Sequence, residues 1–162
     1  MSTLALRKAE YLGKRSGGSP VIREYAEAST QSFKANQMVY LASGEVTECA
    51  DNAVVVEGMA MKDATTATTG VIPVIVFDPE DEVAICIYHG TAATAITAVA
   101  KNGMKYPLNV SDNKTVLDIT DQNTPAWVQQ EVYLPGGEAI GDIYGRVRAS
   151  LLAAVCQTQI GV

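Results

Sequence analysis

The stretch FDPEDEVAICIYHG, residues 77–90, gathers four acids around Pro79, then a cysteine, a tyrosine and the only histidine of the 162-residue chain. Asp78, Glu80 and Glu82 alternate, so an extended backbone sets them on one face, with His89 at the far end of the next run. Two chemistries use these residue types: a carboxylate–imidazole metal site, and hydrolysis with His89 as base beside Asp78 or Glu80. A metal site needs convergent ligands, and usually a second imidazole or a calcium loop with its glycine. Val83 stands where a loop beginning at Asp78 would turn. A Ser or Cys nucleophile needs a base in reach and a third group to orient that base, and one histidine must serve every such arrangement. Pro79 suits the second position of a tight turn. DPEDE is therefore expected to be a solvated hairpin turn, and His89 a strand-end residue bonded to backbone.

Other patterns carry less chemistry. SDNK at 111–114 overlaps S-x-x-K with S-D-N in four residues, and such a tetrapeptide cannot surround one substrate as two separate motifs do. Gly136, Gly137, Gly141 and Gly145 match no phosphate-binding spacing, and Glu138 and Asp142 break the 141/145 pair as a membrane motif. Cys49, Cys86 and Cys156 form no C-x-x-C pair and read as small buried apolar residues. Trp127 and the tyrosines do not build the basic-aromatic groove that single strands of nucleic acid require. The expected catalytic, cofactor and metal sets are thus empty, and the chain reads as a non-enzyme.

The elements that would position these residues follow from composition and pattern. Apolar residues make up 48% of the chain and charged ones 19%, a globular composition long enough for one real core. The net charge of -6 is uneven: residues 1–24 hold Arg7, Lys8, Lys14, Arg15 and Arg23 against Glu10 and Glu24, a net +3, which leaves -9 for the rest. An acidic body argues against direct nucleic-acid binding, while a basic lead segment suits an acidic partner surface. No apolar run approaches the ~20 residues of a membrane span, and no signal-peptide core precedes the body. Folding in a reducing cytoplasm is expected.

Residues 1–30 read as an extended arm, with a short helix in STLALRKAEYL capped by Ser2 and stopped by Gly13, then a Gly/Ser/Pro-rich stretch. Too little apolar surface is present for this arm to fold alone, so it is expected to be disordered or laid on a neighbour. Residues 31–162 read as strands recurring about every ten residues, hence an all-β domain, a small β-barrel or sandwich. In QMVYLAS both faces are apolar, Asp112-Asn113 marks a tight hairpin, and RVRASLLAAVCQ reads as a terminal strand closing a barrel with Val147, Ala149, Leu151 and Ala153 on one face. Residues 90–103 suit a helix, through Ala92, Ile96 and Val99, as well as a strand or an extended crossover.

The phrases FKANQMVYLASGEVTEC, VVVEGMAMKDAT and TGVIPVIVFDPEDEV, followed by GTAATAITAV, KYPLNVSDNKTVLDI and EAIGDIYGRVRASLLAAVCQ, resemble the head-decoration, or capsid-stabilising, proteins of tailed bacteriophages over roughly residues 30–158. The resemblance implies a virion protein on the capsid exterior that is made in the host cytoplasm, binds the major capsid protein as a homotrimer and bridges neighbouring capsomers. On that reading the arm residues Leu4, Leu6, Arg7, Lys8, Tyr11, Leu12, Lys14, Arg15 and Arg23 contact the shell. The competing expectations are a small β-barrel hydrolase or metal-dependent enzyme using His89 with Asp78 or Glu80, and another virion part such as a tail-tube or major shell subunit.

Overall fold

The computed structural model describes residues 3–66, 70–91, 97–98, 101–120 and 123–160. The architecture is all-β, a curled half-barrel sheet against a second, antiparallel sheet. The seven-stranded half-barrel contains β1 (Glu10–Lys14), β7 (Asp81–Tyr88), β8 (Lys105–Tyr106), β9 (Leu108–Ser111), β10 (Lys114–Asp118), β11 (Trp127–Tyr133) and β12 (Arg146–Leu151), in the order β8-β11-β12-β7-β10-β9 with β1 also on β7. The five-stranded sheet runs β2 (Val21–Ala26), β6 (Val71–Val76), β5 (Gly58–Ala60), β3 (Met38–Ala42), β4 (Glu45–Glu48). One helical turn, α1 (Gln157–Ile160), follows the last strand.

Strand alternation explains how the sheets share a core. Val83, Ile85 and Ile87 of β7 and Val147, Ala149 and Leu151 of β12 face Met38, Met59 and Ile75 of the second sheet, around Trp127 and Phe77. The intervening positions of the second sheet, Val39, Ala60, Ile72 and Val74, point the other way into a smaller cluster under Phe33. Both faces of β3 are therefore covered, as its sequence predicts. The ends of that sheet approach each other: Glu27 bridges in parallel to Val46, and Ala28 N donates to Val46 O at 3.1 Å. Gly58 lets β5 run close to β6, since a Cβ there would stand 1.8 Å from the Ile75 carbonyl oxygen.

The expected Asp112-Asn113 hairpin is present, with φ of 51° and 54° at its two central residues and Ser111 opposite Lys114. Four other expectations are corrected. The lead segment is extended but neither disordered nor laid on a neighbour: β1 pairs antiparallel with β7 and β2 with β6, so the chain's own sheets order it. The short helix is absent from residues 3–12, because Glu10–Lys14 finds the open edge of β7 and ladder bonds outweigh weak helical propensity. DPEDE is a turn, closed by Asp81 N to Asp78 O at 3.1 Å, but it crosses between sheets instead of closing a hairpin, and Asp81 and Glu82 are buried. Turn residues encode a reversal, not the sheet that the next strand joins. Finally, β12 lies between β11 and β7, ends at Leu151 and leaves Ala153 exposed, so it is a central strand. Ala92, Ile96 and Val99 lie outside the described residues.

Candidate functional site

The cluster that the sequence marks as chemical is a clasp. β1 lies beside the start of β7 with Lys14 opposite Asp81, which carries the lead segment's polar groups onto the DPEDE turn. Lys14 Nζ donates to Asp78 Oδ2 at 2.7 Å and to Asp81 Oδ2 at 3.0 Å, while Tyr11 OH donates to Asp81 Oδ1 at 2.5 Å. Arg15 donates to Pro79 O at 2.7 Å and Ser16 Oγ to Glu80 Oε2 at 2.9 Å. The turn also satisfies itself, with Glu80 N on Asp78 Oδ1 and Asp78 N on Asp81 Oδ2.

The electrostatics follow from this geometry. Burial works against the Asp78 carboxylate, but the Lys14 ammonium and the Glu80 N–H outweigh it and hold its pKa below the ordinary range. Burial likewise works against the Lys14 ammonium, and the two carboxylates overcome it and raise its pKa. Burial first, then the hydrogen bond to Asp81, raises the Tyr11 phenol. At neutral pH the lysine stays charged and the phenol protonated, which suits neither nucleophile nor base.

A second set of charges covers the outer face of the half-barrel. Arg7 reaches Glu138, which Arg146 also contacts, and Arg146 NH1 pairs with Glu10 at 3.1 Å. Arg148 spans Glu82 and Glu131, and both Arg146 and Arg148 lie over the Tyr133 ring at 5.2 and 5.8 Å. Beneath them Ala84 and Cys86 are fully buried, and Arg7 N donates to Cys86 Sγ at 3.4 Å. Of the other arm residues, Leu4 N bonds to Ile143 O, Leu6 and Leu12 are half-buried, and Lys8 and Arg23 are exposed. The structure thus brings Arg7, Tyr11, Lys14 and Arg15 onto the chain's own acids and carbonyls.

His89 does not join the acids. It follows the last residue of β7 while Asp78 and Glu80 precede the first, so the whole of β7, roughly 23 Å of extended strand, lies between them. Its Nδ1 accepts from Thr91 N at 2.9 Å, the backbone-bonded strand end that the sequence predicts. Among the described residues no group of His, Cys, Asp and Glu converges as a metal site would. The three cysteines are buried and unpaired; burial first, then nearby Asp78, Asp81 and Glu57, pushes the Cys156 thiol up to about 12.

Two polar anchors escape the sequence reading. Glu27 is fully buried and accepts from Thr65 N, Thr65 Oγ1 at 2.6 Å and Thr66 N at 3.1 Å. Burial opposes its charge, yet these donors hold its pKa low. Gln157 donates through Nε2 to Leu41 O at 2.9 Å and accepts from Leu41 N at 2.8 Å, imitating a strand neighbour. Neither sits in a recognisable motif; the sole hint is that an acid and an amide border apolar runs. No protein-family model matches the chain, and no curated protein matches it.

Proposed function

We propose that this chain is a structural virion protein that binds the outer surface of a tailed-phage capsid, through the major capsid protein, and strengthens the shell by bridging neighbouring capsomers. The observation that carries this reading is the disposition of its ionisable groups. Lys14, Asp78, Asp81, Arg7, Glu138, Arg146, Arg148 and Glu82 are engaged with one another as clasps that hold the lead segment and brace the half-barrel. The lone imidazole stands at the other end of β7. Such a body is built for shape and mechanical hold rather than turnover, which agrees with the resemblance over residues 30–158. Bridging by several copies, as a trimer would provide, converts weak single contacts into firm attachment.

The clasp alters how the lead segment serves this role. Arg7 and Lys14 are paired with the body's own acids, so the segment contributes by completing the body's surface and not by trailing as a free arm. The test is co-sedimentation of the full chain with purified expanded and unexpanded tailed-phage shells, together with the melting temperature of the shells. Saturable occupancy and a raised shell melting temperature are expected. Absence of binding to expanded shells overturns the proposal, and so does turnover in a hydrolase screen that His89→Ala abolishes.

A further inference from the structure

β2 is an edge strand with a closed end and an open end. Near Ala26 the bridge from Glu27 to Val46 covers it, but Val21–Glu24 run beyond that bridge with all four side chains exposed, Val21 by 43% and Ile22 by 51%. Two other edges carry covers: Gln31 Oε1 accepts from Glu48 N on β4, and on β9 Asp51 Oδ1 accepts from Val110 N while Asn52 N donates to Leu108 O.

Ladder alternation fixes which backbone groups of β2 are free. Glu27 N donates to Gly70 O at 2.9 Å in the register that sets Ala26 opposite Val71, so Tyr25, Arg23 and Val21 direct their groups to β6. Pro73 agrees: it lies opposite Glu24, its carbonyl accepts from Met61 N on the far side, and its missing N–H costs β2 nothing. The N–H and C=O groups of Ile22 and Glu24 therefore face outward.

A second copy is a poor occupant. Antiparallel self-pairing must oppose outward-facing residues to outward-facing residues. A register centred on Glu24 sets Glu24 against Glu24, and one centred on Arg23 sets Arg23 against Arg23, both destabilising. A register centred on Ile22 drives the second copy's Gly18 against the closed end at Ala26. Parallel copies in register repeat the charge clash. Beside the edge lies a cleft of about 220 Å³ lined by Val21, Val76 and Phe77 together with Arg23, Asp78 and Thr158. On the opposite face Ile22 and Val71 are exposed.

We infer that the open edge of β2 takes an antiparallel extended segment of a different protein, reading base, acid, apolar, apolar opposite Glu24, Arg23, Ile22 and Val21. The base and acid complement the exposed charges, the residue opposite Val21 enters the cleft, and Ile22 and Glu24 supply the backbone bonds. This goes beyond shell binding: it specifies the chemistry of a partner segment, whatever assembly contains it.

The experiment is titration of the isotope-labelled full chain with the peptide Thr-Lys-Glu-Val-Val-Thr and with its charge-swapped form Thr-Glu-Lys-Val-Val-Thr, read as amide shifts in the NMR spectrum. Shifts centred on Ile22 and Glu24 are expected for the first peptide, with about tenfold weaker binding of the second. The double variant Arg23→Glu, Glu24→Arg should reverse that preference. Glu24→Pro removes the outward N–H and the carboxylate but no bond to β6, so it should abolish binding while leaving the remaining spectrum in place. Absence of shifts at millimolar peptide, equal affinity for both peptides, or a dimer that Glu24→Pro dissolves overturns the inference. Lost peptide binding with retained shell decoration in Glu24→Pro would support the inference with this edge separate from the shell contact, while the proposed function stands.

Discussion

Lys14 holds two carboxylates at once, and one of them, on Asp81, is fully buried. Replacing it with Met keeps the stem but leaves that charge with the Tyr11 hydroxyl and the Asp78 N–H alone, so Lys14→Met should cost about 3 kcal/mol by urea unfolding. The exposed pair Lys114–Asp112 is the control, and Asp112→Asn should leave the midpoint unchanged. The pKa directions set the pH window. Asp78 and Glu27 have folded pKa values below their ordinary 3.8 and 4.5, so their stabilisation is complete above those values and is lost as pH falls through the depressed folded ones. Lys14 is raised above 10.5, so its share is complete below that value and is lost as pH climbs through the folded one. Urea midpoints measured across pH should fall at both extremes, and in Lys14→Met the alkaline fall should shrink.

β1 is the element on which the half-barrel depends. It pairs with the first half of β7, while β10 pairs with the end of that strand at Ile87 and Tyr88, so without β1 a central buried strand would gain a bare edge. Deleting residues 1–24 also strips β2 from β6 and uncovers Ile72 and Val74. The truncated chain is therefore expected to lose cooperative unfolding by circular dichroism, whereas a free arm would leave the body intact. Gly58→Ala, which drives a methyl into the Ile75 carbonyl, should cost about 3 kcal/mol in the same assay. Strand existence was legible from the sequence because short apolar runs bounded by turn residues mark β3 and β7 and alternation marks β12, and the Asp112-Asn113 turn because its residue types tolerate positive φ. Partnership was not legible. The assignment of β1 to β7 depends on pairings 67 to 74 residues apart, from Lys14–Asp81 to Glu10–Ala84, and that of β6 to the other sheet on its ladder with β2, 45 to 55 residues apart, which no local pattern records. The DPEDE acids were visible as a cluster, but their partners lay in a segment whose Gly/Ser content made it look unstructured.

Across the whole molecule, the two sheets share one core, and the chain's end ties them together: Val56 bridges to Cys156, and Gln157 occupies the backbone of Leu41. A single unfolding transition should follow, coincident by tryptophan fluorescence from Trp127 in the half-barrel and by amide exchange of β3 in the second sheet. The charge map leads to the last prediction. The lead segment holds a net +3 on a body of -9, and taken as a free arm it would bind an acidic shell with steep salt dependence. In the folded chain Arg7 and Lys14 are paired with the chain's own acids, and Arg15 meets only a carbonyl, which leaves Lys8, Arg15 and Arg23 as the exposed cations of that segment. These three cations share the surface with the exposed Glu10 and Glu24 and leave little net charge for salt to screen, so shell occupancy should change by less than about threefold between low and high salt. Co-sedimentation across a salt series measures this slope. A loss of an order of magnitude or more would mean that the clasp opens on docking and the cations turn outward to the shell.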